Sequence, residues 1–210
     1  MIRVLVADDH AVVREGVKRI LAETDDLVIA GEASDGPEVL AKAVAEAWDL
    51  VLLDITMPGR NGLEVLQQLR RLRPTLPVLV FSMHPENQYA VRAFKAGAAG
   101  YITKDSIPEE LVAAIHKVVQ GRRYVSPALA EYLILDIAHD PNIPPHARLS
   151  DRELQVLCLL ASGKTVTESA EELSLSVKTV STYRRRILEK MHMKTTAELI
   201  HYAVRHQLVN

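Results

Sequence analysis

Five side chains have types and an order that could carry phosphoryl chemistry: Asp8, Asp9, Asp54, Ser82 and Lys104. Carboxylates gathered in one cleft repel each other, and the arrangement becomes favourable around a hard cation such as Mg2+, held by few carboxylates, waters and phosphate oxygen. A hydroxyl donates a hydrogen bond to a phosphoryl oxygen, and an ammonium supplies a point charge against developing negative charge. A carboxylate can itself be the nucleophile and become an acyl phosphate. Asp54, which follows an apolar run and opens the stretch Asp-Ile-Thr-Met-Pro-Gly-Arg-Asn-Gly, has the setting of such an acceptor. Each residue alone has a plainer reading: Asp8 and Asp9 as strand terminators, Asp54 as a turn residue, Ser82 as a helix cap, Tyr101 as a sheet aromatic, Lys104 as a solvated lysine. Their occurrence together, each at the end of an apolar run, favours the chemical reading. His10 reads as the start of a helix and His84 as a loop residue near the site.

Such residues meet only if a fold brings them together. Short apolar runs at Ile2–Ala7, Leu27–Gly31, Leu50–Leu53, Val78–Phe81 and Ala99–Thr103 alternate with amphipathic stretches near 11–22, 36–47, 61–72, 86–96 and 107–120. This is the pattern of an α/β fold, a five-stranded doubly wound parallel sheet, and its uninterrupted apolar strands fit a sheet covered on both faces. In such sheets ligands bind outside the carboxyl ends of the strands, where all five side chains lie. Pro37 after Asp35 and Pro108 after Ser106 mark helix entries.

Gly121 closes this region. Residues 122–147 read as a connector with one helical candidate, about Pro127–His139, before Pro141, Pro144 and Pro145. From 148 to 210 no strand pattern occurs, and four helix starts are announced by Ser150 with Glu153, Thr165 with Glu168, Ser176, and Thr195 with Glu198. The formal net charge of −2 conceals a division: residues 1–122 carry 14 basic and 17 acidic side chains, residues 148–210 carry 10 and 7. Between Lys178 and Lys194 six basic residues face one acidic residue, Glu189. Two helices joined by a short turn, the second basic, are the pattern of a helix-turn-helix reader of the major groove. Val177, Val180, Ile187, Leu188 and Met191 are expected toward the bundle, with Lys178, Ser181, Thr182, Arg185 and Arg186 outward. The plainer reading of a basic triplet is a solvated face.

A single cysteine, Cys158, excludes an intrachain disulfide framework and a cysteine-based zinc site, and points to a reducing cytoplasm. No charged-then-apolar leader and no apolar window of about 18 residues is present, so neither a signal peptide nor a membrane span is expected.

Over residues 1–121 the sequence resembles the receiver domains of response regulators. The matching features are Asp8-Asp9, the Asp54 motif, Ser82, Gly97-Ala98-Ala99-Gly100-Tyr101 and Lys104 before Asp105. The resemblance implies a flavodoxin-like fold in which Asp54 takes a phosphoryl group from a sensor histidine kinase. It further implies that Asp8, Asp9 and Asp54, with the backbone carbonyl of Thr56, bind Mg2+, and that Lys104 pairs with the phosphate. Ser82 and Tyr101 would form a switch pair, the hydroxyl turning to the phosphoryl group and the ring moving inward behind it.

Residues 148–210 resemble the LuxR-type four-helix DNA-binding domain. The match rests on Leu149-Ser150-Asp151-Arg152-Glu153, Val156-Leu157, Ala161-Ser162-Gly163, Ala170, Leu173, Leu175-Ser176, Thr179-Val180 and Lys190-Met191. By position, Ser181, Thr182 and Arg185 would read bases, and Lys178, Thr179, Tyr183 and Arg184 would contact the DNA backbone. Where the family has Asn-Lys-Glu-Ile-Ala, this chain has Val166-Thr167-Glu168-Ser169-Ala170, which puts a hydroxyl in a core position and removes a lysine. Glu153 reads as a cap and intradomain partner. Together the resemblances imply a NarL/FixJ-class regulator with promoter DNA as partner, a homodimer on activation through the last helix, and RNA polymerase as a further partner. Two rivals stand beside this: a DNA binder whose receiver only dimerises, and a Mg2+-dependent aspartyl phosphatase. The second lacks an acidic residue two positions after Asp54, where Thr56 stands, and an insertion to cap a substrate.

Overall fold

The computed structural model describes residues 1–57, 62–126, 129–130 and 144–209, with 87 and 88 described by backbone alone. The chain divides into two compact units, Met1–Ala138 and His139–Asn210.

The first unit alternates β1 (Ile2–Ala7), α1 (Ala11–Ala22), β2 (Leu27–Ala33), α2 (Gly36–Ala45), β3 (Leu50–Leu53), α3 (Gly62–Leu72), β4 (Val78–Ser82), α4 (Glu86–Ala96), β5 (Gly100–Thr103) and α5 (Pro108–Val119). All strand pairings are parallel, in the order β2-β1-β3-β4-β5, the expected doubly wound sheet. Val4, Val6, Leu50, Leu52, Leu79, Phe81 and Ile102 form one core with Val17 and Leu21 of α1 and Leu111, Ala114, Ile115 and Val118 of α5. The alternate positions Leu5, Val51, Leu53, Val80 and Tyr101 are equally buried on the other face, where a strand's period of two places them. This two-sided burial is why the strands read as continuous apolar runs.

Strand β2 runs two residues beyond its expected end. The β1–β2 register shifts between Val4 and Leu5, and Gly31 lies against the Trp48 indole, where an added Cβ would come within 2.4 Å of the ring. Asp35 caps α2 as expected, accepting from the Glu38 amide at 2.8 Å. At α5 the cap position belongs to Ile107, not Ser106, and Pro108 with its fixed φ begins the helix.

Backbone bonds carry the sheet order past the strand ends. The Asp8 amide donates to the Ala33 carbonyl (3.0 Å), that of Asp54 to Ala7 (2.9 Å) and that of Lys104 to Ser82 (2.8 Å). Three of the chemical side chains thus leave backbone that is itself paired. Gly62 then fixes the return into α3: its amide donates to the Ile55 carbonyl at 3.2 Å. A Cβ there would lie 2.3 Å from the Ile55 Cα and 2.7 Å from the Asp54 carbonyl oxygen.

The start of the connector packs on this unit. Tyr124 bridges to Gly100 along β5, and its hydroxyl donates to Glu110. Ser126 donates to Glu86 at the head of α4 and accepts from the Leu129 amide, with Leu129 fully buried. Leu129 and Ala130 are helical; the rest of the helix expected over Pro127–His139 lies outside the described residues.

The second unit begins with a 3-10 turn, Pro145–Arg148, followed by α6 (Asp151–Ala161), α7 (Val166–Glu172), α8 (Val177–Lys190) and α9 (Thr196–Arg205). Ser150, Thr165, Ser176 and Thr195 all accept from the amide three residues on, and at Ser150 and Thr165 the glutamate returns the bond. These caps satisfy amides that a helix start leaves unpaired. Glu153, only 3% exposed, also pairs with Lys190 at 2.6 Å and so ties α6 to the end of α8. Burial pushes its pKa up, but Lys190 and the Ser150 bonds outweigh this and hold it below the ordinary 4.5. Ser169 is buried without cost in lost bonds, because its hydroxyl donates back to the Thr165 carbonyl at 2.8 Å.

Three outcomes are expected. Gly62→Ala destabilises the first unit by about 3 kcal/mol in urea unfolding, near the top of the overpacking range. Gly16→Ala, where nothing lies within 4 Å of the added carbon, stabilises α1 by about 0.5–1 kcal/mol. Because Glu153 is held below its ordinary pKa, its stabilisation is complete above 4.5 and is lost as pH falls through the folded value. Lys190→Met therefore shows a smaller stability loss than the parent in denaturant titrations compared at about pH 6 and about pH 3.

Candidate functional site

At the carboxyl ends of β1, β3, β4 and β5 the structure brings together the side chains singled out by spacing. Asp8 and Asp54 are each 1% exposed. Between them stands Lys104, its Nζ 2.6 Å from Asp8 Oδ2 and 2.7 Å from Asp54 Oδ2. Burial alone would lower the lysine pKa, but the Asp54 and Asp8 carboxylates outweigh it and hold the ammonium charged, above its ordinary 10.5. The second oxygen of each carboxylate is also fixed. Asp54 Oδ1 accepts from the Thr56 amide (2.9 Å) and hydroxyl (2.6 Å), and Asp8 Oδ1 accepts from the His10 amide (2.9 Å).

Asp9 is partly exposed at the mouth, with its Oδ1 2.9 Å from His10 Nδ1. His10 precedes α1 as expected and makes no side-chain cap, and its ring joins the acidic cluster. Asp8, Asp9, His10 and Asp54 present ligand atoms that all lie within 4.8 Å of one another. Three carboxylates against one lysine leave net negative charge, and an oxygen-rich donor set of this kind suits a hard divalent cation. The Thr56 hydroxyl adds a role that sequence reading, which considered only the backbone carbonyl, did not assign. Its signal was the Asp-x-Thr spacing, which lets a carboxylate accept from backbone and side chain two residues on.

Ser82 is fully buried behind this cluster, and its Oγ accepts from the His84 amide at 3.2 Å. Tyr101 is also fully buried, its hydroxyl donating to the His84 carbonyl at 2.8 Å. Burial pushes its phenol well above the ordinary value; the Ser82 hydrogen bond opposes this, and the Asp54 and Glu86 charges add to it. The ring thus stands inward in this structure, and both side chains hold His84, Ser82 at its amide and Tyr101 at its carbonyl.

In the second unit α8 presents the basic face. Lys178, Ser181, Arg185 and Arg186 are exposed, and Val180 and Ile187 are buried in the bundle. Lys178, Thr179, Thr182, Tyr183 and Arg186 line a shallow concavity. Arg186 belongs to this surface although its position had not been assigned a DNA contact. Arg184 turns the other way, its Nε donating to Thr196 Oγ1 of α9 at 2.7 Å. Val177, expected in the core, is 47% exposed: as the first residue after the Ser176 cap it leans past the helix start, beyond the bundle. Among the described residues no helix is long and apolar enough to cross a membrane.

Comparison with known proteins agrees with this geometry. Residues 4–116 match the response regulator receiver domain, and residues 147–203 match the bacterial regulatory proteins of the luxR family. The chain is similar to the response regulator UvrY of Escherichia coli strain K12, 39% identical over 211 residues, covering 100% of this chain and 97% of the relative. It is 42% identical over 211 residues to the response regulator GacA of Pseudomonas viridiflava, covering 100% and 99%. Among solved structures, the response regulator ChrA of a heme-sensing two-component system is 32% identical with a TM-score of 0.54, covering 99% and 98%. RcsB of Salmonella enterica serovar Typhimurium, bound to promoter rprA in the presence of phosphomimetic BeF3-, is 25% identical with a TM-score of 0.67, covering 96% and 97%. With a receiver match over more than half its length and full-length relatives of this kind, the chain belongs to the response regulators: it is a DNA-binding regulator of a two-component system rather than a conventional enzyme.

Proposed function

We propose that Asp54 is the phosphoacceptor of this regulator and that phosphorylation controls promoter binding by α8. The observation that carries the reading is the burial of Asp54 on Lys104, beside Asp8 and Ser82, at one cluster of strand ends. An Asp54 oxygen attacks phosphorus of a phosphohistidine on a sensor histidine kinase; the O–P bond forms, the N–P bond breaks and the imidazole leaves. Mg2+, when bound, offsets the charge gathered on carboxylates and phosphoryl oxygens. Asp8, Asp9 and Asp54, with the Thr56 carbonyl, would hold it. Lys104, already charged and at Asp54 Oδ2, transfers its pairing to the phosphoryl oxygens, and Ser82 donates its hydroxyl. The chemistry assigned to the chain ends there, with slow hydrolysis of the acyl phosphate.

The proposed domains are a phosphoacceptor domain over 1–121, a connector with a helix over 122–147, and a DNA-binding domain over 148–210. Phosphorylation replaces the single carboxylate charge of Asp54 with a phosphoryl group carrying about 1.5–2 negative charges, next to a peptide segment that Ser82 and Tyr101 both hold. That segment leads into Glu86, which accepts from Ser126 of the connector. The route by which the charge reaches the connector is therefore short. Dimerisation on DNA through α9 would set two copies of α8 one helical turn apart. A cytoplasmic setting and contact with RNA polymerase complete the reading. RcsB, captured on promoter DNA with a phosphomimetic, supports it by similarity.

With acetyl phosphate and Mg2+, the purified chain gains one phosphoryl group located at Asp54 by mass spectrometry, and Asp54→Asn gains none. Equal labelling of Asp54→Asn contradicts the assignment. In DNA titrations, Arg185→Ala costs about 1–3 kcal/mol on the best site and relaxes base preference. Lys178→Ala weakens all sequences alike and lowers the salt slope by about 1.

A further inference from the structure

Arg14 sits in the opening part of α1, where the helix dipole favours anions and no acidic residue stands in the first turn. A cation there works against the helix, so its placement needs another reason. Its side chain is largely buried and divides its guanidinium between two acceptors: Nη1 donates to the Asp8 backbone carbonyl at 2.7 Å, and Nε donates to Glu32 Oε2 at 2.8 Å. Glu32 lies on β2 immediately before Ala33, whose carbonyl accepts from the Asp8 amide at 3.0 Å. Its other oxygen pairs with Lys18 at 2.5 Å.

Asp8 is thereby gripped at its amide by β2 and at its carbonyl by Arg14. Neither grip uses a carboxylate oxygen. We infer that Arg14, oriented by Glu32, is a positioning residue for the cation site, fixing the Asp8-Asp9 turn so that both carboxylates point into the cleft against their mutual repulsion. The planar fork is required, because a lysine ammonium cannot hold the two acceptors in one fixed geometry. Arg14 acts through the backbone carbonyl of Asp8. The inference rests on the reading that Asp8, Asp9 and Asp54 hold Mg2+.

The test is isothermal titration of the full chain with MgCl2 at fixed ionic strength, alongside thermal unfolding. Arg14→Lys and Glu32→Gln are expected to weaken Mg2+ binding by about tenfold, the lower end of what outer partners of a metal site contribute. Lys18→Met, which removes the other partner of Glu32, is expected to lower the melting temperature while leaving the Mg2+ affinity unchanged. Parental Mg2+ affinity in a folded Arg14→Lys overturns the positioning role alone. An equal loss of affinity in Lys18→Met also overturns it, since general loosening would then suffice. A parent chain that binds no Mg2+ overturns the cation site and this inference with it.

Discussion

Two carboxylates taken almost wholly out of water on a single ammonium are the constraint around which the first unit is arranged. Asp8 and Asp54 carry 1% exposure each and share Lys104. Losing one partner of such a buried cluster strands an uncompensated charge, at a cost of about 3–5 kcal/mol. The surroundings are accordingly exact about backbone and sparing with charge. Interstrand bonds continue past the strand ends, Gly62 allows α3 to start against the Asp54 carbonyl, and Thr56 and the His10 amide occupy the remaining oxygens. With one ammonium against three carboxylates the cluster keeps net negative charge, which suits an oxygen-rich site for a hard cation.

The two units solve different electrostatic problems with the same backbone chemistry. In the first, negative charge is concentrated and buried; in the second, positive charge is spread on an exposed helix that the bundle needs only to orient. Val180 and Ile187 anchor α8, Lys190 reaches back to Glu153, and Arg184 is tied to Thr196. The chain's near-neutral total conceals these opposed charges. The connector's first residues are part of the receiver's packing, with Tyr124 beside β5 and Ser126 on Glu86.

Much of this was legible in the sequence because the signals are local or periodic. Uninterrupted apolar runs announced a two-sided sheet, and Ser/Thr with Glu three residues on announced helix starts that proved to be real caps. Residues after each strand were legible because strand ends in such a sheet point the same way. What sequence did not disclose depends on three-dimensional neighbours. Arg14 joins the Asp8 backbone to Glu32, which lies 18 residues further along the chain from Arg14, and nothing in its local context marks it. Arg184 looked like its neighbours in a basic triplet, yet helical rotation turns it to α9. Val177 matched an apolar stripe but lies where the stripe runs off the bundle. Ser169 looked like a packing fault, and a hydroxyl bond one turn back resolves it.

The central claim is that charge at Asp54 governs what α8 does on DNA. The most direct measurement is the affinity of the full chain for a promoter fragment at one salt concentration, with and without an acyl-phosphate donor and Mg2+, in parent and Asp54→Asn chains. The account predicts that the donor tightens binding of the parent and leaves Asp54→Asn unchanged. Equal affinity of the parent in both conditions, with Asp54 shown to be phosphorylated, would contradict it and leave the first unit as a dimerisation module alone.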